Sequence, residues 1–164
     1  MKTILVPTDF SEQATNATKL AAEMARHSKA RIVLLNVIEG TRSFAFNTMG
    51  EASEPVGEEA FFINKLIEIQ KKHLKEAAAQ EALKGLTVET VLEMGSPYES
   101  ISNLIADYKA DLLIMGTKGS SGLDEILIGS NTEKVVRYAK CPVITVKNEV
   151  SLKDIKNIVY ATNL

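Results

Sequence analysis

The feature that most constrains the fold of this chain is the alternation of short, β-branched apolar runs with longer helical patterns. The runs have the length and composition of strands that are buried on both faces of a sheet. Consecutive strands separated by helices need crossover connections, which give a parallel sheet covered by helices on both faces. The predicted strands are 2–8, 31–37, 86–92, 111–115 and 142–146, and the predicted helices are 11–27, 58–84, 97–107 and 131–139.

Two of the helical segments place their apolar residues on one face. Segment 11–27 places Ala14, Ala17, Leu20, Ala21, Met24 and Ala25 on one side, with Ser11 or Asp9 available as its N-cap. Segment 58–84 is interpreted as one helix that Gly85 ends, with a buried face made of Phe62, Leu66, Ile69, His73 and Ala77. Segment 38–57 lacks periodicity and is predicted to be a long loop, serving as a lid, a partner contact or a mobile insert.

Composition excludes several classes of function. Nineteen basic and 21 acidic side chains give a net charge of −2, which does not favour nucleic acid or an anionic membrane as a partner. The apolar runs are far shorter than the roughly 20 residues that span a bilayer, and no signal-peptide pattern is present. Cys141 is the only cysteine, so a reducing compartment, the cytoplasm, is expected, and Cys141 itself is predicted to pack as a small apolar group. His27 and His73 have no further ligand at metal spacing, so no metal site is predicted.

A glycine-rich segment follows the predicted strand 111–115. It begins with Gly116, Thr117, Lys118 and Gly119, and after nine residues it reaches Gly129, Ser130, Asn131 and Thr132 at the start of a helix. Glycine lets several backbone N–H groups approach one anion, and a helix start adds unpaired N–H groups and the positive end of the helix dipole. This arrangement predicts a phosphate cradle. Its spacing matches neither the P-loop nor the dinucleotide fingerprint, so a phosphate site of another kind is expected.

The spacing glycine, two residues, glycine, nine residues, glycine, serine resembles the nucleotide-binding signature of universal stress proteins, and Gly116, Gly119, Gly129 and Ser130 match it. Segments 2–11 and 140–146 are similar to the first and last strands of that family. The resemblance implies a five-stranded parallel sheet of order 3-2-1-4-5, a Rossmann-like fold of the adenine nucleotide alpha-hydrolase type. It also implies ATP or another adenine nucleotide beyond strands one and four, dimerisation through strand 142–146, and a role as a stress-response sensor or regulator.

The resemblance further implies the parts of the nucleotide that each segment binds. Asp9 would contact the nucleoside, Val37 would lie against adenine, and the two ends of the glycine-rich segment would hold ribose and phosphates, through which Mg²⁺ could be bound. Asp9 could instead cap the following helix, and Lys118 could be solvated rather than bound to phosphate. The predicted binding residues are Pro7, Thr8, Asp9, Val37, Met115, Gly116, Thr117, Lys118, Gly119, Gly129, Ser130, Asn131 and Thr132.

Two alternative functions stay open at this point. A slow ATPase or nucleotidyl-transfer enzyme would need an oriented water or nucleophile beside a base, and no such set of residues is evident, so no catalytic residue is assigned. A non-binding interaction domain would keep the glycines for structural reasons only.

The last nine residues, 156–164, copy residues 2–10, because lysine, isoleucine and threonine recur in register and the other pairs are mostly conservative. We therefore expect one domain over 1–148, with 149–164 forming a linker and the first strand of a truncated second repeat. In this repeat Asn163 replaces Asp9, and strand 156–161 would seek a sheet edge. A parent reading frame that continues into a second domain would support the hypothesis, whereas a native stop codon after Leu164 would contradict it.

Overall fold

The structure is a computed structural model that describes residues 1–39, 57–117 and 129–159, without the side chain of Glu59. The strands are β1 (Thr3–Pro7), β2 (Arg31–Ile38), β3 (Val88–Met94), β4 (Leu112–Gly116) and β5 (Val143–Val146). The helices are α1 (Glu12–Ser28), α2 (Glu58–Ala78), α3 (Pro97–Asp107) and α4 (Ser130–Tyr138), with short 3₁₀ turns at Glu81–Leu83 and Leu152–Asp154.

The five strands form one parallel sheet of order β3-β2-β1-β4-β5. The predicted fold, strand order and helices on both faces are confirmed. From the central β1 the chain moves outward through β2 to β3 and then returns to β4 on the other side. The strand order therefore reverses between β1 and β4, and doubly wound sheets bind ligands at such a switch point.

Two hydrophobic layers cover the sheet, because successive side chains of a strand point to opposite faces. Ile4 and Val6 of β1 belong to the layer under α1 and α2. Leu5 belongs to the layer under α3 and α4. All three are completely buried, so β1 is apolar on both faces, as its sequence predicts.

Helix α1 begins directly after a tight turn. The Ser11 hydroxyl accepts a hydrogen bond from the Ala14 N–H at 3.2 Å, which makes Ser11 the N-cap. The Asp9 carboxylate accepts a hydrogen bond from the Ser11 N–H at 3.1 Å, within the turn that precedes the helix. Of the two predicted caps, Ser11 thus caps the start of the helix, and Asp9 stabilises the turn that leads into it.

The predicted helix 58–84 is wrong in its end and in its buried face. Helix α2 ends at Ala78, and a separate 3₁₀ turn follows. Leu74 is its one fully buried apolar residue, whereas Phe62 is 71% and Ile69 42% exposed. Ala77 of the predicted face does pack against the core. The first half of α2 carries apolar residues on several sides, so periodicity alone does not decide which side is buried. Strand β3 also lies two residues later than predicted.

Residues 155–159 form neither helix nor strand in the structure. Ile158 and Val159 are each 90% exposed, although their counterparts in the repeat, Ile4 and Leu5, are fully buried. The predicted strand 156–161 is therefore not formed over the four of its residues that are described. Most of the predicted loop 38–57 lies outside the described residues. None of the described helices has both the length and the apolar character that a membrane span requires.

Candidate functional site

A cleft of about 650 Å³, including the solvent at its mouth, opens at the carboxyl ends of β1 and β4. The cleft lies on the side of the sheet that α3 and α4 cover, at the switch point. Its described lining consists of Pro7, Thr8, Asp9, Ala14, Leu35, Val37, Glu39, Pro97, Ile101, Met115, Gly116, Gly129, Asn131 and Thr132.

The end of β1 is held firmly at the base of the cleft. The Thr8 N–H donates to the Leu35 carbonyl at 2.7 Å, and the Asn36 amide donates to the Thr8 carbonyl at 2.8 Å. The Thr8 hydroxyl accepts from the N–H of Phe10, whose φ of 64° turns the chain sharply into α1. Asp9 lies between these two anchored residues, so its position at the rim of the cleft is fixed by the backbone.

The two described ends of the glycine-rich segment are tied to each other. The Gly129 N–H donates to the Thr117 carbonyl at 2.9 Å, and the Thr132 hydroxyl donates to the Gly116 carbonyl at 3.1 Å. The Thr117 N–H donates to the Val146 carbonyl at the end of β5. These bonds bring the start of α4 against the end of β4, which is the arrangement that a phosphate cradle requires.

The two glycines at these ends differ in the space that a side chain would have. A Cβ on Gly116 would come within 3.0 Å of Gln13, so this glycine allows α1 to pack closely against β4. A Cβ on Gly129 would meet its nearest neighbours, the Thr117 carbonyl and Thr132 hydroxyl, at 3.6 and 3.8 Å, which are ordinary contacts. The protein's own packing therefore explains Gly116 but leaves Gly129 unexplained.

The cleft combines two acidic side chains with unpaired backbone N–H groups. Its described lining contains two carboxylates, Asp9 and Glu39, and no basic side chain. Gly129 provides no side-chain cap for α4, whose first backbone bond runs from the Glu133 N–H to the Gly129 carbonyl. The N–H groups of residues 130–132 consequently have no partner within the helix. An anion in this cleft would meet these N–H groups and the positive end of the helix dipole.

Glu39 faces this helix start from the opposite wall. It follows β2, and its carboxylate accepts a hydrogen bond from the Asn131 side-chain amide at 3.4 Å. Both residues line the cleft, so the contact bridges its mouth from β2 to α4.

The structure brings nine of the thirteen predicted binding residues into this one cleft. Thr117 and Ser130 adjoin it without lining it; Ser130 is exposed, and the Thr117 hydroxyl oxygen is buried without a hydrogen-bond partner among the described residues. Lys118 and Gly119 lie outside the described residues. The nine lining residues are Pro7, Thr8, Asp9, Val37, Met115, Gly116, Gly129, Asn131 and Thr132.

Sequence reasoning missed five residues of the lining, namely Ala14, Leu35, Glu39, Pro97 and Ile101. Two of them had a usable signal. Glu39 is an acidic residue just after a buried strand, and Pro97 starts the helix after β3, so both lie at the carboxyl edge of the sheet. Ala14, Leu35 and Ile101 carry only the apolar character that any core residue has.

Cys141 and the two histidines lie apart from the lining of the cleft. Cys141 is half-buried against the layer under α3 and α4, and its burial, together with the nearby Asp111 carboxylate, raises the pKa of its thiol. A raised pKa disfavours the reactive thiolate. His73 packs edge-to-face on Phe10 at 5.5 Å. Within residues 1–39, 57–117 and 129–159, no group of three His, Cys, Asp or Glu side chains is placed to hold a metal ion.

The fold and the cleft define a doubly wound α/β domain with a ligand site at its topological switch point. Residues 1–147 match the family model described as the universal stress protein family. The chain belongs to the universal stress protein family.

Known relatives agree with this assignment. Universal stress protein MJ0577 of Methanocaldococcus jannaschii is 33% identical over 157 residues, which cover 92% of this chain and 97% of the relative. Universal stress protein MJ0531 of the same organism is 31% identical over 152 residues, which cover 89% and 82% of the two chains. The solved structure of MJ0577 is similar with a TM-score of 0.73, covering 92% of this chain and 98% of that one.

A more distant solved structure was determined with a nucleotide. The universal stress protein of Archaeoglobus fulgidus in complex with dAMP has a TM-score of 0.63 and 22% identity, covering 90% of this chain and 98% of that one. At this identity the likeness to our chain concerns the fold.

Proposed function

We propose that the cleft binds an adenine nucleotide, ATP in the first instance, and that the protein acts as a nucleotide-responsive sensor or regulator in the stress response. The observation that carries the proposal is the convergence of nine predicted residues, from four separate segments, on one cleft at the switch point. The binding of dAMP by a relative of the same fold supports the same ligand class.

The walls of the cleft divide into an apolar part and an anion-binding part. The apolar part is a slot suited to a planar base. It is formed by Leu35, Val37, Pro97, Ile101 and Met115. The start of α4 and the glycine-rich segment provide the N–H groups that phosphates need. In this proposal Asp9, beside both parts, accepts hydrogen bonds from the nucleoside.

Magnesium fits this arrangement as an ion carried by the phosphates. Mg²⁺ usually keeps several waters and binds through substrate phosphates and one or two carboxylates. In the described lining only Asp9 and Glu39 could contribute such an oxygen from a side chain. When bound, the ion would neutralise part of the phosphate charge.

Binding without rapid turnover is the activity that these residues favour. Phosphoryl transfer to water needs a base that orients the nucleophile. The described lining contains no His, Lys or Cys, and its two carboxylates, Asp9 and Glu39, already accept hydrogen bonds from the Ser11 N–H and the Asn131 amide. The Thr132 hydroxyl is likewise engaged with the Gly116 carbonyl. We therefore propose retention of the nucleotide as the signal.

Mass spectrometry of the purified protein for co-purified nucleotide is the first test, followed by equilibrium dialysis with ATP. We expect saturable binding, and we expect Gly119→Val to abolish it while circular dichroism and the melting temperature stay close to those of the wild type. Unchanged binding in this variant would refute the role of the glycine-rich segment. A wild-type protein that binds no adenine nucleotide would instead favour the non-binding interaction domain.

We also propose that two copies associate through β5, in the cytoplasm. β5 is an edge strand of the sheet, so one side of its backbone is unpaired within the described sheet. Val136 and Tyr138 of the adjacent α4 are 54% and 61% exposed, which adds apolar surface beside that edge. Pairing of the two edges would bury both features.

The tail supports a further proposal, that residues 156–164 begin a second repeat of the domain. Ile158 and Val159 have the pattern of a central strand, but the described chain gives them no sheet and leaves them 90% exposed. Apolar residues of this kind are expected to be buried by a fold of their own or by a neighbour. The length of the parent reading frame tests the proposal.

A further inference from the structure

We propose that Glu39 makes the cleft selective for the charge of its ligand, because its carboxylate stands opposite the helix start that would otherwise receive the outermost phosphate. The inference rests on the proposed nucleotide function and adds a residue that sets specificity. No part of the glycine signature contains this residue, which follows β2 on the opposite wall.

The Glu39 carboxylate lies at the start of α4, where an anionic ligand would also bind. Its carboxylate oxygen lies 3.4 Å from the Asn131 side-chain nitrogen, in the first turn of α4. This turn lacks a side-chain cap at Gly129, and its first N–H groups have no partner within the helix. The carboxylate therefore lies in the favourable field of the helix dipole, where anionic side chains are stabilised.

A phosphate that enters the same place meets a negative charge as well as the N–H groups. The described lining contains no basic side chain to offset Glu39. Each added phosphate brings more negative charge towards this carboxylate, so the repulsion increases with the number of phosphates. Adenosine carries no such charge and would not be affected.

Mg²⁺ and salt should both weaken the repulsion between Glu39 and the phosphates. Mg²⁺ bound to the phosphates lowers their net charge, so it reduces the repulsion from Glu39. Salt also screens the interaction, because the carboxylate is exposed at the mouth of the cleft. Wild-type protein is thus expected to discriminate between metal-free ATP and its Mg²⁺ complex.

The test compares adenosine, AMP and ATP binding by calorimetry in the wild type and in Glu39→Gln, with and without Mg²⁺. Glutamine keeps the oxygen that accepts from Asn131 but removes the charge. We expect the ratio of ATP to adenosine affinity to rise about three- to tenfold in Glu39→Gln at low salt. The rise should be smaller for AMP and should shrink in Mg²⁺ or at high salt.

Glu68→Gln provides the matched control, because it removes the same charge from the exposed side of α2, on the other face of the sheet. Its ratio should equal that of the wild type. An unchanged ratio in Glu39→Gln overturns the inference while leaving nucleotide binding intact. A lower ratio also overturns it, since Glu39 would then be a favourable contact of ATP. If none of the proteins binds adenosine or ATP, the proposed function fails and this inference fails with it.

Discussion

At the scale of single residues, Gly116 and Gly129 separate the requirements of packing from those of binding. Both belong to the same sequence signature, but only Gly116 lies where a Cβ would strike the backbone of α1. Gly129 has a φ of −58°, which any residue can adopt, and space for a Cβ. Substituting each by alanine therefore tests two different properties of the protein.

Gly116→Ala should lower the free energy of unfolding by about 1–3 kcal/mol, because the methyl group overpacks the contact with Gln13. Gly129→Ala should change it by less than about 1 kcal/mol, the difference between glycine and alanine at an N-cap. Urea denaturation measures both values.

Gly129→Ala should affect ATP binding much more than it affects the free energy of unfolding. We expect Gly129→Ala to weaken ATP binding at least about tenfold, because the proposed phosphate approaches where glycine leaves the backbone open. Equilibrium dialysis on the folded variants measures this effect. Wild-type affinity in Gly129→Ala would place the phosphates elsewhere in the cleft.

At the scale of elements, the segment after β5 is held on α1 by a small polar network. The Glu23 carboxylate accepts from the Ser151 hydroxyl at 2.9 Å and from the Leu152 N–H at 2.8 Å. Lys19 forms an ion pair with Glu149 at 2.6 Å. The Leu152 N–H, which stabilises the charged form, is the main reason that the pKa of Glu23 lies below its usual value.

This lowered pKa makes the docking of the segment sensitive to acid. A carboxylate with a lowered pKa in the folded state contributes its stability above its unfolded pKa, and loses it as the pH falls through its folded pKa. In an NMR titration, the Leu152 amide shift should therefore change at a pH below the ordinary range for glutamate. In Glu23→Gln the change should vanish, and in Glu68→Gln it should persist. A change that survives in Glu23→Gln would assign the titration to another group.

The helices also show how well sequence periodicity predicts helix limits and buried faces. Helices α1 and α3 match their predicted limits to within one residue, because each has a Ser N-cap and a single apolar face. Helix α2 begins at the predicted residue but ends at Ala78 instead of residue 84. Its buried face also differs from the predicted one, because apolar residues surround its first turns, namely Phe61, Phe62, Ile63 and Ile67. Which of these faces meets the sheet depends on the position of β2 and β3, and that is a property of the assembled layers.

At the scale of the whole molecule, the strand order leaves β5 at an edge, where the proposed dimer would form. The carbonyls of Pro142 and Val146 accept hydrogen bonds from the β4 side, at Leu113 and Thr117. Backbone groups of a strand alternate in direction, so the N–H of Thr145 points away from β4. The outer edge of the sheet can be blocked at this position without breaking the pairing of β4 with β5.

If two copies associate through β5 as proposed, Thr145→Pro should be a monomer while the domain stays folded, because proline removes the outward N–H and is tolerated on edge strands. Thr145→Val is the matched control and should remain dimeric, since it keeps the N–H. Sedimentation equilibrium gives the mass of each protein. A dimeric Thr145→Pro protein, or a monomeric wild type, would contradict association through β5.

The sequence by itself determined the class of fold, the family and most of the cleft. Buried parallel strands read as continuous apolar runs, and the glycine signature combines with the rule that ligands bind beyond the carboxyl ends of strands. Tertiary structure alone placed Glu39 opposite Asn131, residues 92 positions apart whose contact depends on how β2 and α4 face each other. It also showed that Gly116 is needed for packing against Gln13, because steric contact between distant segments leaves no periodic trace in the chain.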